Sequence, residues 1–283
     1  MPAATIASVE ISAHARHSAP AENYTIEVCR RALATNADYV EFDIRRTADE
    51  ELVAFHDACT RQGIPLSTIG YAQLCDLAGY EVPKVTDILA AVKGHAKGHL
   101  DLKEQGYEEK LVRLALDVLG PGEFIVTTLE DASVAGIRSR FPNGEEVPVA
   151  LSIGRGMQGM SRAVWVRDRF RDLRPMSRVQ ASGTEWVAID HRVALSGVLP
   201  QLRAKRLKIM VWTVNNEREI RYWLARQQID VLVTDRAAFA VETRDLAGVL
   251  PVHQRANRPH PRYSRAYRAC RTGASVSSAR ISP

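Results

Sequence analysis

The chain has 283 residues, 46% of them hydrophobic and 25% charged, which is enough apolar material for one large folded domain and too much for a disordered chain. No run approaches the roughly 18 consecutive apolar residues of a membrane span, and the N terminus lacks a basic segment followed by an apolar one, so the expectation is a cytoplasmic protein with no transmembrane segment. The formal charge of +5 comes from residues 251–283, which hold seven arginines, no lysine and no acid; without them 31 basic residues face 33 acidic ones. The body is therefore near neutral, and nucleic acid is not an expected partner.

Strand-like apolar runs occur at Val9 to Ala13, Tyr39 to Ile44, Gly98 to Lys103, Phe124 to Thr128, Val147 to Ile153, Trp186 to Asp190, Lys208 to Val214 and Asp230 to Thr234. Segments of helical period lie between most of them, clearest at Leu111, Leu114, Ala115, Val118 and Leu119, where Gly120 and Pro121 close the run. Eight such units in residues 1–250 predict an α/β fold, a TIM (β/α)8 barrel, with a doubly wound open sheet as the structural alternative. Residues 57 to 83 carry turn signals and weak periodicity, so they read as a small insertion after the second strand that passes over the functional rim. The four cysteines, Cys29, Cys59, Cys75 and Cys270, show no CxxC pairing and imply neither a zinc knuckle nor a disulfide framework. The Arg-, Pro- and Ser-rich segment 251–283 is expected to be a disordered basic tail that can touch anionic surfaces but is mainly solvated.

The chemistry concentrates in YVEFDIRRTADEELVAFHD, residues 39 to 57. On a strand, Val40, Phe42 and Ile44 share one face and Glu41 and Asp43 the other, so two carboxylates point together. A following apolar run, Leu52 to Phe55, delivers His56 and Asp57. In His99 to Lys103 the same alternation puts Asp101 and Lys103 on one face. His14 follows the first strand and Asp235 the eighth, and a barrel gathers groups at strand carboxyl ends. Three acids without clustered histidine or cysteine ligands favour a hard divalent cation, Mg²⁺ or Ca²⁺, over zinc. Lys103 and an arginine would balance the charge and hold a phosphate. Two imidazoles, His14 and His56, can exchange protons near neutral pH. Metal, cations and proton carriers together suit phosphodiester cleavage.

These motifs resemble the glycerophosphodiester phosphodiesterase family. The family's His-Arg-Gly and Pro-Glu-Asn-Thr correspond to AHAR at 13 to 16 and PAENYT at 20 to 25, its Glu-x-Asp to NADYVEFD, and its His-Asp to VAFHD. Its helix start matches VPKVTDIL at 82 to 89, its Glu-x-Lys matches LDLK at 100 to 103, and its late signatures match VWTVNN at 211 to 216 and VLVTD at 231 to 235. The resemblance implies hydrolysis of small-molecule glycerophosphodiesters to sn-glycerol 3-phosphate and an alcohol on a TIM barrel. It implies metal binding by Glu41, Asp43 and Asp101, proton transfer by His14 and His56, and substrate or phosphate binding by Arg16, Lys103 and Trp212. Core packing is the plainer reading of Trp212. Attack by the substrate's own hydroxyl, giving a cyclic phosphate, and attack by water both stay open. The chain departs from the pattern at Ala15, which stands where the family has arginine, with Arg16 one place later, and at Asp101, one methylene shorter than the usual Glu. Two rival readings remain: a phospholipase D-like lyase acting on lysophospholipids to give a cyclic phosphate, and a non-catalytic barrel that binds a phosphorylated ligand. Arg155, Arg162, Arg167 and Arg169 are expected to form a solvated face.

Overall fold

A computed structural model describes residues 9–14, 25–154, 172, 174–226 and 228–248. The basic tail, Arg16 and the four arginines between 155 and 169 lie outside the described residues.

Among the described residues there are nine strands: β1 Glu10–His14, β2 Tyr39–Arg46, β3 Leu52–Ala54, β4 Lys97–Leu102, β5 Phe124–Thr128, β6 Val149–Ile153, β7 Trp186–Asp190, β8 Lys208–Trp212 and β9 Val231–Thr234. All except β3 run parallel to their neighbours in chain order, and β1 pairs with both β9 and β2. The sheet therefore closes into an eight-stranded barrel, which excludes the open doubly wound alternative. The apolar run expected from Leu52 to Phe55 is the ninth strand, β3, paired antiparallel to the end of β2 with Ile44 opposite Ala54.

Period-two alternation sorts each strand's side chains. On β2, Val40, Phe42 and Ile44 are buried among the helices outside the barrel, while Tyr39 joins the interior with Ile125, Ala150, Trp186, Ala188, Met210, Val231 and Val233. The N-terminal mouth is closed by charge and aromatic contacts: Lys97 Nζ lies 3.2 Å from Glu10 Oε1 and 5.3 Å from the centre of the Tyr39 ring. The opposite, C-terminal mouth stays polar.

The surrounding helices are α1 Ile26–Leu33, α2 Tyr71–Ala78, α3 Val85–Val92, α4 Glu108–Val118, α5 Asp131–Arg140, α6 Met176–Ser182, α7 Leu199–Ala204, α8 Glu217–Arg226 and α9 Ala237–Gly248. Their boundaries follow local chemistry. Thr25 caps α1 by accepting from the Val28 amide at 3.4 Å. Val85, Ile88, Leu89 and Val92 recur at helical spacing and bury one face of α3. After α4 the chain passes through Gly120 at φ +99°, a conformation a side chain would strain.

Residues 57 to 83 are more ordered than weak periodicity suggests. Leu66, Ile69, Leu74 and Val82 pack with Val53 into a satellite core, and the Asp49 carboxylate accepts from the Tyr71 amide at 3.0 Å to start α2. The insertion holds itself together through its own apolar cluster, fixed at both ends to β3. Among the described residues no helix is long and apolar enough to cross a membrane.

Candidate active site

Register decides which inward-facing groups meet. His14 of β1 stands opposite Glu41 of β2, which stands opposite His99 of β4; one step higher, Asp43 faces Asp101, which faces Thr127 of β5. Two adjoining rows of the barrel wall thus carry the polar groups. They line a cavity of about 450 Å³ at the carboxyl ends of the strands, together with Arg45, His56, Lys103, Ser152, Met210 and Trp212.

One oxygen from each of Glu41, Asp43 and Asp101 lies within 4.8 Å of the others. Lys103 bridges two of them, with Nζ 2.6 Å from Asp43 Oδ1 and bonded also to Asp101 Oδ2. The crowding is visible in the protonation balance. Burial pushes the Glu41 carboxyl well above its usual range, His14 pulls it back, and the neighbouring Asp43 and Asp101 add to the rise. Burial acts in the same upward direction on Asp101, but Lys103 and a hydrogen bond from Thr127 outweigh it and hold that carboxyl below its ordinary value. Lys103, despite burial, is held charged by Asp101, Asp43 and Glu41.

His14 takes its position from the other end of the chain. Its Nδ1 lies 2.5 Å from Asp235 Oδ1, and its Nε2 lies 3.5 Å from Glu41 Oε2. Burial alone would lower its pKa; Glu41, the bond to Asp235 and Asp43 overcome that and raise it to about 9. Asn215, from the stretch after β8, accepts from the Asp235 backbone amide at 2.9 Å and donates its side-chain N–H to Asp235 Oδ2, which fixes the carboxylate.

His56 lies at the cavity edge, beyond β3, and its Nδ1 is 2.6 Å from Asp57 Oδ1. Arg45 ties this corner to β2: its Nε donates to the His56 carbonyl at 2.9 Å and its Nη1 to Glu104 at 3.0 Å. Trp212, at the end of β8, is half-buried and borders the cavity, with its Nε1 lacking a hydrogen-bond partner among the described residues. Of the residues singled out from sequence, seven come together here: His14, Glu41, Asp43, His56, Asp101, Lys103 and Trp212. Arg16 is outside the described residues.

Sequence reading assigned no role to Arg45, Ser12, His99 or Thr127. The available signal was the same alternation that revealed the acids, since Arg45 shares a face with Asp43, His99 with Asp101 and Ser12 with His14.

The donor set suits a hard cation. Three carboxylate oxygens converge, and Glu41 Oε2, buried, accepts no hydrogen bond from the described residues.

A closed parallel barrel with three acids, a lysine and two imidazoles at its carboxyl-end rim has the layout of a barrel phosphodiesterase. Residues 13–140, somewhat less than half of the chain, match the model of the glycerophosphoryl diester phosphodiesterase family. Comparison with curated proteins found no match. Among solved structures, a glycerophosphodiester phosphodiesterase from Parabacteroides distasonis is similar at 19% identity and TM-score 0.65, over 88% of this chain and 98% of its own. One from Thermotoga maritima is similar at 18% identity and TM-score 0.64, over 83% and 98%. A phosphodiesterase from Oleispira antarctica in complex with the product sn-glycerol-3-phosphate is similar at 16% identity and TM-score 0.63, over 84% and 97%. At these identities the likeness concerns the barrel itself.

Proposed function

We propose that this protein is a metal-dependent phosphodiesterase that hydrolyses glycerophosphodiesters to sn-glycerol 3-phosphate and an alcohol. The observation that carries this reading is the convergence of three carboxylate oxygens within 4.8 Å, in one cavity with Lys103, His14 and His56. The product bound to the Oleispira antarctica relative supports the substrate class.

Glu41, Asp43 and Asp101 would hold Mg²⁺ or Ca²⁺. A bound ion of this kind polarises the phosphoryl oxygen and offsets charge that develops on it. Lys103 supplies a second positive charge at the same phosphate. His56, with Nδ1–H donated to Asp57, keeps a lone pair at Nε2 and takes the proton of the attacking hydroxyl. His14, charged and held by Asp235, gives a proton to the leaving alcohol. Trp212 borders the cavity as a flat apolar wall for the glycerol moiety. Arg16 and the tail 251–283 enter this reading as a phosphate contact and a separate basic extension.

The test is release of sn-glycerol 3-phosphate from glycerophosphocholine and glycerophosphoethanolamine by the purified protein in EDTA, Mg²⁺ or Ca²⁺, beside His56→Ala. Metal-dependent release abolished by the substitution is the expected outcome. No release with any metal would overturn the reading. Persistence of a cyclic phosphate in the phosphorus NMR spectrum would instead identify a lyase.

A further inference from the structure

Beneath the acid cluster, three buried polar groups on three strands form a line that the proposed chemistry does not use. Ser12 Oγ is 2.9 Å from His99 Nδ1, His99 Nε2 is 3.1 Å from Thr127 Oγ1, and Thr127 Oγ1 donates to Asp101 Oδ1 at 2.7 Å. Ser12, His99 and Thr127 are all buried.

Donor counting gives the line a direction. Thr127 has one hydroxyl proton, and an ionised carboxylate can only accept, so that proton goes to Asp101. The His99 Nε2 contact must then be an N–H that donates to Thr127. A neutral ring with Nε2–H has its lone pair on Nδ1, which accepts from the Ser12 hydroxyl.

We propose that Ser12, His99 and Thr127 are positioning residues, a one-way hydrogen-bond relay that fixes Asp101 Oδ1 and thereby leaves Oδ2 turned toward Lys103 and the cation site. The need is geometric. A carboxylate rotates about its last bond, and a hard cation selects one oxygen at a short, defined distance. Tying Oδ1 to the barrel wall removes that freedom from a short aspartate ligand. This inference rests on the proposed cation site, and its test separates the two.

The full-length protein, labelled with ¹⁵N-histidine, is examined by NMR, with His99→Gln used to assign the His99 ring. Mn²⁺ binding is then titrated by electron paramagnetic resonance in the wild type, Thr127→Val, His99→Leu and His99→Gln. The expected ring is the Nε2–H tautomer. Thr127→Val and His99→Leu should weaken Mn²⁺ binding about 10- to 100-fold. His99→Gln, whose amide nitrogen can reach the Nε2 position and donate to Thr127, should restore most of it. Thermal unfolding of each variant shows that it is folded. An Nδ1–H tautomer, or a folded Thr127→Val that binds Mn²⁺ as tightly as a wild type that itself binds, would overturn the relay alone. A wild type that binds no Mn²⁺ would overturn the cation site and the relay's role with it.

Discussion

His14 and Asp235 are 221 positions apart, yet the imidazole Nδ1 and the carboxylate Oδ1 meet at 2.5 Å. The contact exists because β1 pairs with β9 and closes the barrel. It joins a candidate proton carrier to an acid that is outside the Glu41, Asp43 and Asp101 cluster and far from it in sequence. Asp235 therefore acts on His14 in two ways, by orienting its ring and by stabilising its charge.

Replacing Asp235 with Asn keeps the shape and removes the charge. The His14 pKa should fall below its value of about 9, and turnover should drop by about 10- to 100-fold with a smaller change in KM. Histidine NMR titration beside steady-state kinetics checks both; an unmoved His14 titration would refute the pairing.

The metal-free protein should lose stability with rising pH. Because the folded pKa of His14 lies above the unfolded value of 6.5, the native state holds a proton that the unfolded state releases first. That contribution is complete below pH 6.5 and lost as pH rises through about 9. A cation at Glu41 and Asp43 would oppose the charge on His14, so Mg²⁺ should shift its titration downward. Urea unfolding across this range, in EDTA and in Mg²⁺, reads the slope.

His99 should produce the opposite slope in acid. Its folded pKa of about 3 lies below the unfolded 6.5, so stability is complete above pH 6.5 and lost as pH falls toward 3. In His99→Gln this part of the acid sensitivity should vanish. An unchanged acid midpoint in that variant would show that His99 does not enter.

Crowding of the acids makes a further prediction. Glu41→Gln should raise the stability of the metal-free protein by about 1 kcal/mol, because a buried carboxyl in a pocket of carboxylates is removed. The same change should abolish stabilisation by Mg²⁺. Paired thermal scans with and without the ion decide it, and a metal-free variant less stable than the wild type would count against the crowding argument.

Arg45 offers a test of how the insertion is coupled to the barrel. Arg45→Lys loses the planar fork that donates to the His56 carbonyl and to Glu104 at once. Turnover should fall about tenfold while the fold is kept. By contrast, Leu74→Ala in the satellite core should cost about 2–5 kcal/mol, seen first as faster amide exchange across residues 57 to 83.

Much of the architecture was legible because strand and helix periods are local properties. The alternation in Tyr39 to Arg46 already separates Phe42 and Ile44, which meet helices, from Glu41 and Asp43, which face the cavity. The eight barrel strands could be located, although β3 was read only as an apolar run and the order within residues 57 to 83 was underestimated. That order depends on Val53 and Leu66 meeting Leu74 and Val82, contacts that no local period encodes.

What sequence by itself determined is which residues of one strand share a face, since two residues per pleat is a property of the backbone. Which faces meet was decided only by tertiary structure. Closure brings Asp235 to His14, and register sets Asp43 beside Asp101 and Asp101 beside Thr127. Those relations arise from hydrogen bonds between strands distant in the chain, where a slip of one residue would turn every acid toward the helices.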